Sequence, residues 1–84
     1  MGTERAIIIL NLIKRRQTFD LDVPRDISAN ELVIALNQAY ELGIDTSDVK
    51  NCYLKAENPI ALLRGEKTLA EFGVHNGTRI NYTD

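Results

Sequence analysis

The chain has 84 residues, enough for one domain around one small core. Its apolar content of 44% argues against a disordered chain. Ten basic and twelve acidic residues, mixed along the chain to a net charge of −2, leave no concentrated basic surface of the kind nonspecific nucleic-acid binding needs, and no apolar run reaches the length of a membrane span. The apolar stretch at 6–10 is short and is not followed by a small-residue cleavage site, so no signal peptide is expected. Cys52 is the only cysteine and has no partner for an internal disulfide, which fits a reducing, cytoplasmic compartment.

Residues 1–5 read as a loose lead-in. Residues 6–13 are rich in β-branched side chains and predict a central strand. The period of two puts Ile8, Leu10 and Leu12 on the core face, and Ile7, Ile9, Asn11 and Ile13 on the other. Lys14, Arg15, Arg16 and Gln17 form a polar break that predicts a hairpin turn. The next strand, over 18–23, alternates Phe19, Leu21 and Val23 inward with Asp20 and Asp22 outward. Pro24 ends it by removing a ladder donor.

Residues 28–43 predict the only long helix. Ser28 is suited to the N-cap, and Glu31, three residues on, can reach back to complete a capping box. Ile27 and Leu32 occupy the two staple positions. Leu32, Leu36, Ala39 and Leu42 recur at helical spacing, widened by Val33, Ala35 and Tyr40, and Gly43 is expected to stop the helix. One stripe of this size cannot be buried alone, so the helix is expected to lie across a sheet.

A polar linker over 44–50 follows, with Ile44 and Val49 as expected core plugs. Residues 51–56 predict a third strand with Cys52 and Leu54 inward and Tyr53 and Lys55 outward. Residues 57–59 read as a turn, 60–63 as a short fourth strand, and 64–67 as another turn. Residues 68–74 predict a single helical turn with a second capping box, Thr68 with Glu71, and with Leu69, Phe72 and Val74 tucked inward. Asn76-Gly77-Thr78 and Asn81-Tyr82-Thr83 match a glycosylation sequon; without a secretion signal the first reads as a turn. The last strand, over 78–83, points Ile80 and Tyr82 inward and Arg79 and Asn81 outward. A tight hairpin makes the first two strands antiparallel, and the long return lets the last strand pair parallel to the first. The expected fold class is α+β: a mixed sheet with one helix on one face, in a single domain over 1–84.

With these elements in place, the chain resembles the ubiquitin-like β-grasp family over nearly its whole length. The most specific piece is Thr68-Leu69-Ala70-Glu71-Phe72-Gly73-Val74 followed by His75-Asn76-Gly77-Thr78-Arg79-Ile80. Within that superfamily it is most similar to the small YukD/EsaB-type proteins of bacterial type VII (WXG100/ESX) secretion, through its compact length, the run Thr18-Phe19-Asp20-Leu21-Asp22-Val23-Pro24 after a polar turn, and the position of its last strand. Conjugated ubiquitin-like proteins and sulfur carriers finish in a flexible Gly-Gly tail that threads a narrow enzyme channel; this sequence ends Asn81-Tyr82-Thr83-Asp84. The resemblance therefore implies the fold without implying conjugation. A modifier or sulfur carrier with a missing Gly-Gly tail is the alternative.

No catalytic, metal or cofactor site is expected. Cys52 falls on a core face, and His75 falls in a turn. Asp20 and Asp22 lie two apart on an outward face without further acids or ligands nearby in sequence, and no phosphate-binding glycine loop is present. The informative feature is the sheet face away from the helix. Ile7, Ile9 and Ile13 sit there, flanked by Asp20 and Asp22 on one side and by Arg79, Asn81, Tyr53 and Lys55 on the other. Exposed isoleucines in a row suit a protein interface, unless neighbouring side chains cover them or the register is slipped by one. The turn charges Lys14, Arg15 and Arg16 read either as solvated hairpin charge or as a contact for an acidic partner. The expected function is a non-catalytic adaptor. By resemblance, it is an accessory or regulatory component of type VII secretion in a Gram-positive bacterium. Its partner would be a membrane component, a secretion ATPase or a regulator, without nucleic acid or membrane insertion. A homo-oligomer is the other way such a face is covered.

Overall fold

A computed structural model of the chain describes residues 4–83. Two strands, β1 (Arg5–Leu12) and β2 (Gln17–Pro24), form an antiparallel hairpin. Helix α1 (Ala29–Tyr40) follows, then β3 (Leu54–Glu57), β4 (Ala61–Leu63) and β5 (Arg79–Tyr82). The sheet order is β2-β1-β5-β3-β4. Strand β5 runs parallel to β1 and antiparallel to β3, as the long return connection requires. This is the expected α+β arrangement, with α1 over one face of a mixed sheet.

Alternation in β1 decides which side is core. Ile8, Leu10 and Leu12 are at most 1% exposed and meet Leu32, Val33 and Leu36 of α1 in the buried cluster. Leu54 and Leu63 extend that layer from β3 and β4, and Ile80 from β5. Removing an Ile or Leu side chain from water in this way stabilises the fold by roughly 1.5–3 kcal/mol each.

Two capped turns hold the sheet-to-helix connections. The backbone N–H of Glu31 donates to Ser28 Oγ at 3.1 Å, and the N–H of Ser28 donates to Glu31 Oε1 at 3.3 Å. The same reciprocal pair forms at Thr68 and Glu71, at 3.1 and 3.0 Å. The capped positions also meet each other: Ser28 and Thr68 form an isolated antiparallel bridge, Ala29 N–H donates to the Lys67 carbonyl, and Leu69 N–H donates to the Ile27 carbonyl. The start of α1 is thereby fixed to the turn that feeds β5.

Several boundaries differ from the expectation. Arg5 opens β1 instead of belonging to a lead-in, and its Nε donates to Asp22 Oδ1 at 2.9 Å; the rest of that lead-in, apart from Glu4, lies outside the described residues. Helix α1 ends at Tyr40 and not at Gly43. Glu41 takes the left-handed cap, with φ 51°, and its N–H donates to the Asn37 carbonyl. The Asn37 side chain then binds both the N–H and the carbonyl of Ile44, and Leu42 is buried, so the chain leaves the helical path early to plug the core. The buried stripe is Ala29, Leu32, Val33 and Leu36, with Tyr40 beside it; Ala35 and Ala39 are exposed, because Tyr40 and not Ala39 continues the stripe.

Strand β3 begins at Leu54, later than expected. Residues 45–51 are held in turns in which Asp45 accepts from Ser47 and Asp48 accepts from Lys50 and Asn51. These turns carry Val49 outward to 83% exposure, so it does not plug the core. Ile60 lies before β4, beside Pro59, and is 90% exposed. Strand β5 starts after Thr78, whose buried hydroxyl serves the preceding turn.

Candidate docking face on the open side of the sheet

Register builds the face opposite α1 as a set of cross-sheet rows. One row reads Asp20, Ile9, Arg79, Glu57 across β2, β1, β5 and β3. The row beside it reads Thr18, Asn11, Asn81, Lys55, Leu62 and reaches β4. On the other side of the first row, Ile7 lies opposite Asp22. An apolar column on β1 is thus bordered by carboxylates on β2 and by Arg79 and Asn81 on β5, with Glu57 and Lys55 beyond them on β3.

Polar contacts tie part of this surface down. Asn11 Nδ2 donates to Asn81 Oδ1 at 3.0 Å, and Asn81 Nδ2 donates to Glu57 Oε1. Asp22 is engaged by Arg5. Asp20, Arg79 and Lys55 make no ion pair or side-chain hydrogen bond among the described residues. Ile7 is 46% exposed and Leu62 41% exposed, while Ile9 is half-buried, with Asp20 and Arg79 opposite it on the adjacent strands.

The residues picked out in the sequence divide into two groups. Ile7, Ile9, Lys55 and Arg79 share the open face by register. Tyr53 precedes β3, is half-buried, and lines an open hollow of about 410 Å³ with Lys55, Asn81 and Ile44. Ile13, 45% exposed, lies just past β1, where its N–H donates to the Tyr82 carbonyl. Lys14 and Arg16 are exposed in the hairpin turn, Arg16 at φ 54°. Arg15 in the same turn is occupied: its guanidinium donates to the Tyr40 and Glu41 carbonyls at the end of α1.

Two features of the face were not visible in the chain. Leu62 joins it only through the β3–β4 register, which pairs it with Lys55, and an open groove of about 480 Å³ lies beside Leu62 and Ile60. The Asn11–Asn81 contact needs the parallel β1–β5 pairing; the outward placement of both asparagines was its only sequence signal.

Two carboxylates, Glu71 and Asp45, serve turns. The Glu71 carboxyl is held below its ordinary pKa by the Thr68 N–H and then by the Thr68 hydroxyl. Asp45 is lowered in the same way, first by the Ser47 hydroxyl and then by its N–H. Cys52 is buried, with its thiol donating to Asn30 Oδ1 at 3.4 Å. His75 Nδ1 lies 2.7 Å from the Asn76 carbonyl oxygen, in the turn before β5. Among the described residues no group of three or more His, Cys, Asp or Glu side chains is placed to hold a metal ion, and no helix is long and apolar enough to cross a membrane.

Comparison with known proteins places this geometry. The chain is similar to the C-terminal ubiquitin-like domain of mouse tubulin-specific chaperone e, at 12% identity and TM-score 0.70, covering 100% of this chain and 92% of that one. A designed protein based on ubiquitin matches at 19% identity and TM-score 0.64, covering 95% and 88%. The ubiquitin-like domain of Plasmodium falciparum Dsk2 matches at 14% identity and TM-score 0.61, covering 93% and 97%. At these identities the likeness shows the fold, a ubiquitin-like β-grasp. No curated relative matches the sequence. A family model described as "WXG100 protein secretion system (Wss), protein YukD" matches residues 7–81, which is most of the chain. The chain belongs to the YukD family of the WXG100 protein secretion system.

Proposed function

We propose that this chain is a cytoplasmic, non-catalytic interaction module, a single ubiquitin-like domain acting as an accessory or regulatory component of WXG100 (type VII) secretion in a Gram-positive bacterium. It works by docking the open sheet face on another protein of the apparatus, a membrane component or a secretion ATPase. One observation carries the reading: Ile7 and Ile9 form an apolar column on a face that no element of the described chain covers, flanked at Ile9 by Asp20 and Arg79, which have no ion pair among the described residues. Apolar centres with polar rims are the usual anatomy of a protein interface. Family membership supports the secretion setting.

The test is lysine-directed crosslinking of the tagged full-length protein in its native host, with mass spectrometry of partners and linkage sites. Secretion-apparatus proteins linked through Lys55 or Lys14 are the expected result. Linkage of a processed C-terminus to unrelated proteins would replace this reading with that of a modifier.

A further inference from the structure

The open face is complementary to itself, and we infer that a second copy of this chain docks on the Ile7–Ile9 column, with Asp20 of each copy facing Arg79 of the other. The inference rests on the reading of this face as a docking surface and names one occupant for part of it.

The argument is geometric. Ile9 lies opposite Asp20 on one side and opposite Arg79 on the other, so acid, isoleucine and base stand in one row across three adjacent strands. When the strands of the two sheets are aligned, identical faces can stack about either of two perpendicular in-plane two-fold axes. An axis across the strands lays β2 over β2 and brings Asp20 against Asp20, which like-charge repulsion disfavours. An axis along β1 exchanges the two sides. It lays β2 over the partner's β5, sets Ile9 against Ile9 and Ile7 against Ile7, and brings both Asp20–Arg79 pairs together. Charge layout therefore selects one dimer geometry, close to the aligned packing that twisted sheets adopt. Both charged groups are exposed and have no ion-pair partner within the described chain. Glu57, the other acid in the row, is engaged by Asn81.

The extent of overlap sets the strength. Three overlapping strands about 4.8 Å apart and about 25 Å long cover less than the roughly 800 Å² per partner of a standard interface, so the dimer is weak and concentration-dependent. Strands β3 and β4 project past the partner's β2. Lys55, Leu62 and Ile60 stay open to a different protein while the dimer is formed.

The test uses the intact chain in sedimentation equilibrium and amide NMR from about 20 µM to about 1 mM, where a weak dimer is read directly. The wild type is expected to dimerise with concentration-dependent shifts at Ile7, Ile9, Asp20 and Arg79. Asp20→Arg and Arg79→Asp each should weaken the dimer by roughly tenfold or more. Mixing the two single variants should restore association as a heterodimer, because one face then carries bases on both sides and the other carries acids. The double variant, with the charges exchanged, should again pair with itself. That rescue separates an interface effect from misfolding. A wild type that stays monomeric at the highest concentration, or a dimer indifferent to both reversals, overturns the self-docking. If Lys55 crosslinks to secretion proteins persist in that case, the adaptor reading stands and only the second copy is lost.

Discussion

The guanidinium of Arg15 closes the end of helix α1 through the carbonyl oxygen of Tyr40, at 2.6 Å, and takes the Glu41 carbonyl at 2.7 Å with its other nitrogen. Helix α1 has no basic residue in its own last turn, so the charge favoured at a helix C-terminus is delivered from the first hairpin. Arg15→Ala is expected to lower stability by about 1 kcal/mol, an exposed fork contributing less than a buried one. Arg15→Lys keeps the charge without the two-pronged geometry and should recover only part of the loss. Lys14→Ala should change little. Urea unfolding measures the totals, and faster exchange of the Leu42 amide, which donates to the Asn37 carbonyl, locates the loosening.

Arg15 also shows where sequence reasoning stops. Three consecutive basic residues in a turn are identical as composition, and nothing local distinguishes the one that reaches a helix end 25 residues away. The same limit hid Leu62, whose face depends on β3–β4 register, and Val49, turned outward by the Asp45 and Asp48 side chains. Features set by local chemistry were legible. The capping boxes at Ser28–Glu31 and Thr68–Glu71 need only a spacing of three residues, and both formed. The faces of β1 followed from the period of two, because one outward asparagine fixed the phase for the isoleucines around it.

Neighbours Ile8 and Ile9 should behave as opposites. Ile8 is wholly buried between sheet and helix, so Ile8→Ala is expected to cost about 2–5 kcal/mol, the range for cavities in a packed core. Ile9 points to the open face, so Ile9→Lys should leave the cooperative unfolding transition in place while weakening association through the Ile7–Ile9 column. Collapse of that transition in Ile9→Lys would instead assign Ile9 to the core.

The pH dependence has a definite sign at Glu71. Its native pKa lies below the ordinary carboxylate value because the Thr68 N–H and hydroxyl bind the charged form. The native state therefore holds its proton less tightly than the unfolded chain does. The stabilisation is fully present above the unfolded pKa and is lost as pH falls through the lowered native one. Glu71→Ala should be destabilising at neutral pH, and the gap from wild type should narrow in acid. Paired thermal melts at neutral pH and well into the acid range check this; a gap that widens on acidification would reverse the assignment.

Thr78 gives the sharpest test of buried polarity. It is fully buried one residue before β5, and its hydroxyl accepts from the His75 N–H at 3.0 Å while donating to the Asn58 carbonyl at 2.9 Å. One oxygen thereby joins the turn that feeds β5 to the turn between β3 and β4. Thr78→Val keeps nearly the same shape but leaves a donor and an acceptor without their partner. The expected cost is about 1–3 kcal/mol, the usual penalty for stranding buried polar groups. Thr78→Ser retains both bonds and loses only a methyl group, for roughly 1 kcal/mol. Denaturant unfolding of the two variants side by side decides the matter. If Val proves the milder change, packing and not the hydroxyl holds the two turns together.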